Sequence, residues 1–353
     1  MNARAFAALP LLLAACSKPA TTPVAGAPPP SLTTPPELTV KAFPLPAGSG
    51  PVSIDYIVCD RKNGTVWVPS ARDAGAVDVF DIAKGTFSHL DGFKTEVKES
   101  EGRKRAQGPN AAAIGDGVVY VGNRATREIC AFDAVTRKRG ACLVLPTSTD
   151  GIQLVASVKE LWITAPRERA LVVLDATKPD ALAPKQTIDV GGQSEGFAVD
   201  EAHGVFYTNL EDKNRTLAID VKTHTVKASW ATGCSDDGPR GLAFDPATRL
   251  LAVACTDHVQ VLDAGRDGAM LGRFDTGTGL DNLDYVESKR WLYMASGKPG
   301  RLSVARLEPN GQLVPIGTAA TAERARNAVA DANGNAYVVD PAGPRLLTFS
   351  APP

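Results

Sequence analysis

The stretch from Ser194 to Trp230, SEGFAVDEAHGVFYTNLEDKNRTLAIDVKTHTVKASW, reads as four short strands separated by polar turns. FAVD, VFYTN, TLAID and TVKASW have the β-branched and aromatic bias of strands, and Asp, Asn, Gly and Lys fill the gaps. One sheet of this kind cannot bury both of its faces. The pattern returns at once as GPRGLAFDPATRLLAVACTDHVQVLDAGRDGAMLGRFDTG. A four-stranded unit repeating about every 45 residues stacks face to face around an axis, which is the β-propeller solution.

The other units follow in order. Blade one is PVSIDYIV, GTVWVP, AVDVFDI and TFSHLDGF; blade two is NAAAIG, VVYVGN, EICAFD and ACLVLP; blade three is IQLVAS, ELWITA, ALVVLD and KQTIDV. Blade six is LDNLDYV, RWLYMAS, LSVARLE and LVPIGT, and the last unit offers only NAVADA, NAYVVD and RLLTFS. The lone strand LTVKAFPL near the start supplies the missing fourth. The chain therefore reads as all-β, a seven-bladed β-propeller over 37–353 closed by an N-terminal strand that completes the last blade. Closure removes two open sheet edges. A formal net charge of -1 provides no basic field, so nucleic acid is not an expected partner.

VFYTN…TLAID, VVYVGN…ICAFD and VDVFD…TFSHL resemble the YVTN-repeat β-propeller family of bacterial envelope proteins. Phe206-Tyr207-Thr208-Asn209 and Val119-Tyr120-Val121-Gly122-Asn123 are the nearest copies, and the likeness runs from about Val52 to Phe349. It implies the fold and leaves activity open, because propellers host binding, scaffolding and hydrolysis alike.

Residues 1–16 carry a short charged head and an apolar run too short to span a bilayer. The run ends in Leu13-Ala14-Ala15-Cys16, which resembles the lipobox of bacterial lipoproteins. That resemblance implies a lipid-modified Cys16 as the mature N-terminus. Ser17 in place of Asp implies sorting to the outer membrane, with the protein periplasmic or surface-exposed. Several acyl chains on one residue anchor stably. Residues 17–36, rich in Pro, Ala and Thr, read as a disordered tether. Membrane contact through the anchor alone and a monomeric state are expected.

In an exported chain the remaining cysteines can pair. Cys130 and Cys142 lie on the third and fourth strands of blade two; Cys234 precedes the first strand of blade five and Cys255 ends its second. The strand ends predict those two bridges and leave Cys59 over. His89, His203, His224 and His258 show no metal-binding grouping and read as solvated turn residues. GQSEG at 192–196 fits a nucleophile-elbow pattern but leads into a strand with no helix after it. Asp331 to Asn335 reads as a hairpin turn, since no acidic residue closes a calcium loop. The charged run Lys94 to Gly108 reads as a solvated loop rather than a flap.

Aligning the blades by their first strands brings Asp55, Asn110, Asp150, Glu195, Arg240, Asp281 and Arg326 into register. All are polar, apolar residues follow directly, and the first strand is nearest the axis. These seven are the candidate ligand-binding ring at the mouth of the central channel. Arg72, Arg124, Arg167, Glu211, Asp212 and Lys298 lie in the loops that open on the same face. The ring supports binding of a small molecule or an envelope protein at the mouth, without catalysis. Hydrolysis of a lactone is the alternative. Relatives of phosphogluconolactonase are seven-bladed, and the arc Asp55, Asn110, Asp150, Glu195 has the hard oxygen donors a divalent cation such as calcium takes. No cofactor is otherwise called for, and no repeated Trp motif suggests a quinone. The anchor itself is testable: a palmitate analogue fed to cells should label the wild type, and Cys16→Ser should abolish the label and leave the propeller folded.

Overall fold

The computed structural model describes residues 1, 34–46, 50–72, 74–100, 103–235 and 237–353. Cys16 and most of the tether lie outside the described residues. Five-residue turns set the hairpins. In DRKNG, DIAKG, DVKTH and DPATR an Asp carbonyl accepts the N–H four residues on, at 2.8 to 2.9 Å. The fifth residue takes the left-handed conformation that Gly adopts without cost (Gly64 φ 64°, Gly85 65°, His224 56°, Arg249 58°). The Asp side chain closes the turn from inside: Asp60 Oδ1 accepts from the N–H groups of Lys62 and Asn63, and Asp220 Oδ1 from those of Lys222 and Thr223.

These hairpins build seven four-stranded antiparallel sheets, the blades of the predicted propeller. Blade four, for instance, comprises Ser194–Asp200, Val205–Leu210, Arg215–Asp220 and Thr225–Ala231. The ring closes as expected. Val40–Pro44 pairs antiparallel with Arg345–Phe349 in the last blade, Val40 opposite Phe349 and Pro44 opposite Arg345. Second strands such as Thr65–Ser70, Glu160–Ala165 and Leu250–Cys255 are buried along their whole length, because a neighbouring blade covers each face. Trp162 of blade three stacks on Phe206 of blade four, ring centroids 4.6 Å apart. Asn209 ends its buried strand by donating to the carbonyls of Arg240 and Gly241, which ties blade four to the innermost strand of blade five.

Cys130 bonds to Cys142 and Cys234 to Cys255, and Cys59 is a buried free thiol. Two expectations need correction. The run Lys94 to Gly108 is not merely a wet loop: Glu96–Ser100 and Arg103–Gln107 form a two-stranded hairpin of their own. The histidines are not all solvated either. His224 is buried between blades three and four, with Nε2 on Glu160 at 2.9 Å and Nδ1 on Gln186 at 2.6 Å. His258 is buried within a strand, between Asp257 and Arg273.

The innermost strands nearly touch. Asp55 and Tyr56 of blade one both donate to the carbonyl of Asn110 in blade two, at 3.0 Å. A Cβ on Gly196 would lie 2.3 Å from the Arg240 carbonyl oxygen, and one on Gly241 2.7 Å from that of Asp281. Gly196→Ala and Gly241→Ala should therefore each lose about 2 kcal/mol or more in urea unfolding, through overpacking against backbone. Gly64→Ala, with open space around it and only its φ against it, should lose about 1 kcal/mol. Equal losses at all three positions would contradict the close approach.

Candidate functional site

The start of each innermost strand and the loops after the second strands meet at one end of the channel. Arg124, from such a loop in blade two, joins the first strands of its two neighbours: Nη1 lies 2.7 Å from Asp55, and Nη2 bonds Asp150. Arg326 bridges the other way, 3.2 Å from both Asp55 and Asp281. Arg105 reaches in from the charged hairpin, 2.8 Å from the Ser53 hydroxyl and 3.1 Å from Asp55. Arg240 pairs with Glu211 at 2.6 Å. Asp55, Asp150, Asp281 and Arg326 of the ring are thus held in one ionic network, and Arg240 and Glu195 adjoin it around Glu211. Asn110 is different. Its amide donates to the Thr149 carbonyl and accepts from the Thr149 hydroxyl, fastening blade two to the entry of blade three.

The other loop groups do not join. Arg72 turns into its own blade, onto Asp78 and the Ser70 hydroxyl; Arg167 and Lys298 are exposed; Asp212 pairs with Arg169. Of the arc of oxygen donors, Asp55 and Asp150 are therefore tied to guanidinium groups and Asn110 to Thr149. Among the described residues no group of three or more His, Cys, Asp or Glu is placed to hold a metal ion. Ser194 is buried, donating to the Ala170 carbonyl and accepting from the Ala165 N–H, so it is no nucleophile.

The network is uneven. Burial pushes the Asp55 carboxyl up, but Arg124, Arg105 and Arg326 outweigh it and hold it below the usual carboxylate range. Burial, with Asp55 and Asp281 adding to it against Arg124, pushes Asp150 up to about 7. Glu195 goes further, up to about 9, through burial and then Asp150, Asp281 and Glu211. Glu211 itself is held by Arg240.

Below the rim the channel holds a cavity of ≈ 190 Å³ lined by Tyr56, Ile57, Gln153, Phe197, Leu242, Asn282, Leu283 and Asn327 among others. Tyr56 of blade one and Phe197 of blade four meet across it, centroids 5.5 Å apart and planes inclined by 32°. Gly151 makes room, since a Cβ there would lie 2.1 Å from the Phe197 ring. Asn282 and Asn327 both donate to the Asp55 carbonyl, tying blades six and seven to blade one. Sequence reasoning missed this wall and Arg105. A signal was present: Asp150-Gly151, Glu195-Gly196 and Arg240-Gly241 recur at the blade period, a charged residue followed each time by the glycine that lets the next strand approach.

No family model and no curated protein matches the chain. Solved structures do, at the level of fold. A chain of a mitotic checkpoint complex is 13% identical with a TM-score of 0.70, over 97% of this chain and 100% of that one. The Cps50 (Swd1) β-propeller domain of Myceliophteria thermophila is 11% identical with a TM-score of 0.68, over 88% and 99%. A Kuenenia stuttgartiensis hydrazine synthase chain is 13% identical with a TM-score of 0.67, over 88% and 97%.

The raised Glu195 carboxyl has a signed consequence. Between its unfolded value near 4.5 and its folded value of about 9, the folded state binds the extra proton. Stability therefore falls as pH rises through that window, by at most about 1.4 kcal/mol per unit. Glu195→Gln resembles the protonated acid at every pH. It should match the wild type near pH 5 and exceed it in thermal unfolding by pH 8 to 9. A parallel pH dependence in the two proteins would contradict the raised Glu195 carboxyl.

Proposed function

We propose that this protein is a lipid-anchored envelope β-propeller of the YVTN-repeat type that binds a ligand or protein partner at the mouth of its channel and performs no chemistry on it. Cys16 and the tether would hold the propeller away from the outer membrane. The observation that carries the reading is the Arg124 bridge between Asp55 and Asp150. It occupies two of the three carboxylates a metal-dependent lactonase would need free, and leaves a polar, concave rim over a small cavity, as a recognition surface requires. One of the solved structures above is a chain of a mitotic checkpoint complex, in keeping with partner binding.

A photo-crosslinking amino acid at Arg167 or Lys298, both exposed beside the mouth, should give adducts in cells, and at Lys62 or Glu201, exposed in turns at the opposite end, should not. Adducts confined to Lys62 and Glu201 would place recognition on the wrong face. Lactone turnover by the purified protein that is lost in Asp150→Asn would replace binding with hydrolysis.

A further inference from the structure

The chamber below the rim carries no charge on its wall. Among the described residues no Asp, Glu, Lys, Arg or His lines it. At the rim above, Arg124 holds Asp55 and Asp150, Arg326 holds Asp55 and Asp281, and Arg240 holds Glu211. The rings of Tyr56 and Phe197 give the chamber an aromatic wall, and Ile57, Leu242, Leu283 and Val329 supply aliphatic surface.

Its polar side chains are few, and what one end of each amide does fixes which end is left. The Asn282 amide nitrogen donates to the Asp55 carbonyl at 3.0 Å and to Asn327 Oδ1 at 3.3 Å. The Gln153 amide nitrogen donates to the Leu154 carbonyl at 2.7 Å. Only the NH₂ end of an amide can meet a carbonyl, so Asn282 Oδ1 and Gln153 Oε1 are the ends left over. Neither oxygen, nor the Tyr56 hydroxyl, has a hydrogen-bond partner among the described residues, and none of the three is sealed from water. The unmet side-chain capacity of the lining residues is therefore two acceptors and one hydroxyl.

That set selects a ligand class. An ion would leave water for a wall that offers no opposite charge. Ordered waters need about two to four polar partners each, which three polar atoms on an apolar wall do not supply to a full chamber. Displacing such water with an apolar body favours binding. A flat uncharged ring stacks on the aromatic wall, and an N–H or O–H on that ring meets an amide oxygen. Size sets the upper limit. An apolar cavity of about 150 Å³ holds one benzene, so ≈ 190 Å³ takes a single ring with a small substituent.

We infer that the chamber is a binding site for a small uncharged single-ring compound bearing an N–H or O–H donor, such as a phenol or a cyclic amide. The inference rests on the reading of the mouth as a binding site and gives that site its ligand class. Binding is non-covalent, neither takes up nor releases a proton, and leaves the ion pairs of the rim in place.

Isothermal calorimetry on the full chain, with phenol and 2-pyridone as probes, tests this. Anisole and N-methyl-2-pyridone, whose donor is capped by a methyl group, serve as controls, as do the ions benzoate and benzylammonium. At least one probe should bind at millimolar concentration or below, with the same affinity at pH 6 and pH 8. Its capped partner should bind about fivefold more weakly, the loss of one neutral hydrogen bond. Both ions should bind more weakly still or not at all. Tyr56→Phe and Gln153→Met each remove one polar group and keep the apolar bulk, and at least one of them should weaken binding about fivefold. Leu283→Phe, which narrows the chamber, should abolish binding; should it fail to fold, the two polar variants carry the test. Four results would each overturn the inference: equal binding of a probe and its capped partner, no binding of either probe, an ion bound as tightly as the probes, or affinity unchanged in every folded variant. If mouth-side crosslinks persist in that event, the ring compound is wrong and the binding face stands.

Discussion

Seven innermost strands must meet around a single axis, and what limits their approach is the side chain each carries toward its neighbour. Where that side chain is hydrogen, at Gly151, Gly196 and Gly241, the next strand or its aromatic ring takes the space a Cβ would need. The channel is narrow for this reason. Its narrowness brings Asp55, Asp150, Asp281 and Arg326, from four different blades, into one ionic network. It also lets Tyr56 of blade one touch Phe197 of blade four across the axis. In a wider ring the same residues would be separate solvated charges, each worth little.

The repeat carried most of the fold because its determinants are local. An Asp four residues before a left-handed position makes a hairpin in each of these turns, and the wholly buried second strands follow from stacking. The disulfides were legible for the same reason, since Cys130 and Cys142 face each other on paired strands and Cys234 lies just before the strand whose first residue, Pro239, pairs with Cys255. The seven ring positions were legible as places. Their partners were not. Arg72 and Arg124 occupy equivalent loops, yet Asp78 in its own blade captures the first while the second finds carboxylates on both sides. Which arginine faces the axis depends on a residue in the strand that follows, six positions on from Arg72, and no pattern in the loop records it.

The buried histidine and the charged hairpin failed in the same way. His224 closes a turn in blade four, but its burial comes from Glu160 in blade three, 64 residues earlier. The run from Lys94 to Gly108 has few apolar residues and so looked wet. As a hairpin it sets Glu99 opposite Lys104 and Lys98 opposite Arg105, and Arg105 gains Asp55 as a partner only once the channel has formed. A charge run is a solvated segment until a buried carboxylate of opposite sign lies within its reach.

The unevenness of the rim has a structural setting. A buried carboxyl without an ion-pair partner costs stability, so it persists only where the surroundings leave the backbone no way to relax. Glu195 sits where blades four, five and six are closely fastened. Gly196 and Gly241 let blades four, five and six approach at their innermost strands, and Asn209 bonds two carbonyls of blade five. Gly238 brings the entry of blade five against the Glu211 carbonyl, and the Cys234–Cys255 bridge locks that entry to its own second strand. Around Asp55, which Asn282 and Asn327 tie to blades six and seven, three arginines supply the charge balance, one of them from a surface hairpin. The rim thus divides by charge: the Asp55 side is neutralised by guanidinium groups, and on the other side burial and the carboxyl groups of Asp150, Asp281 and Glu211 raise the Glu195 carboxyl.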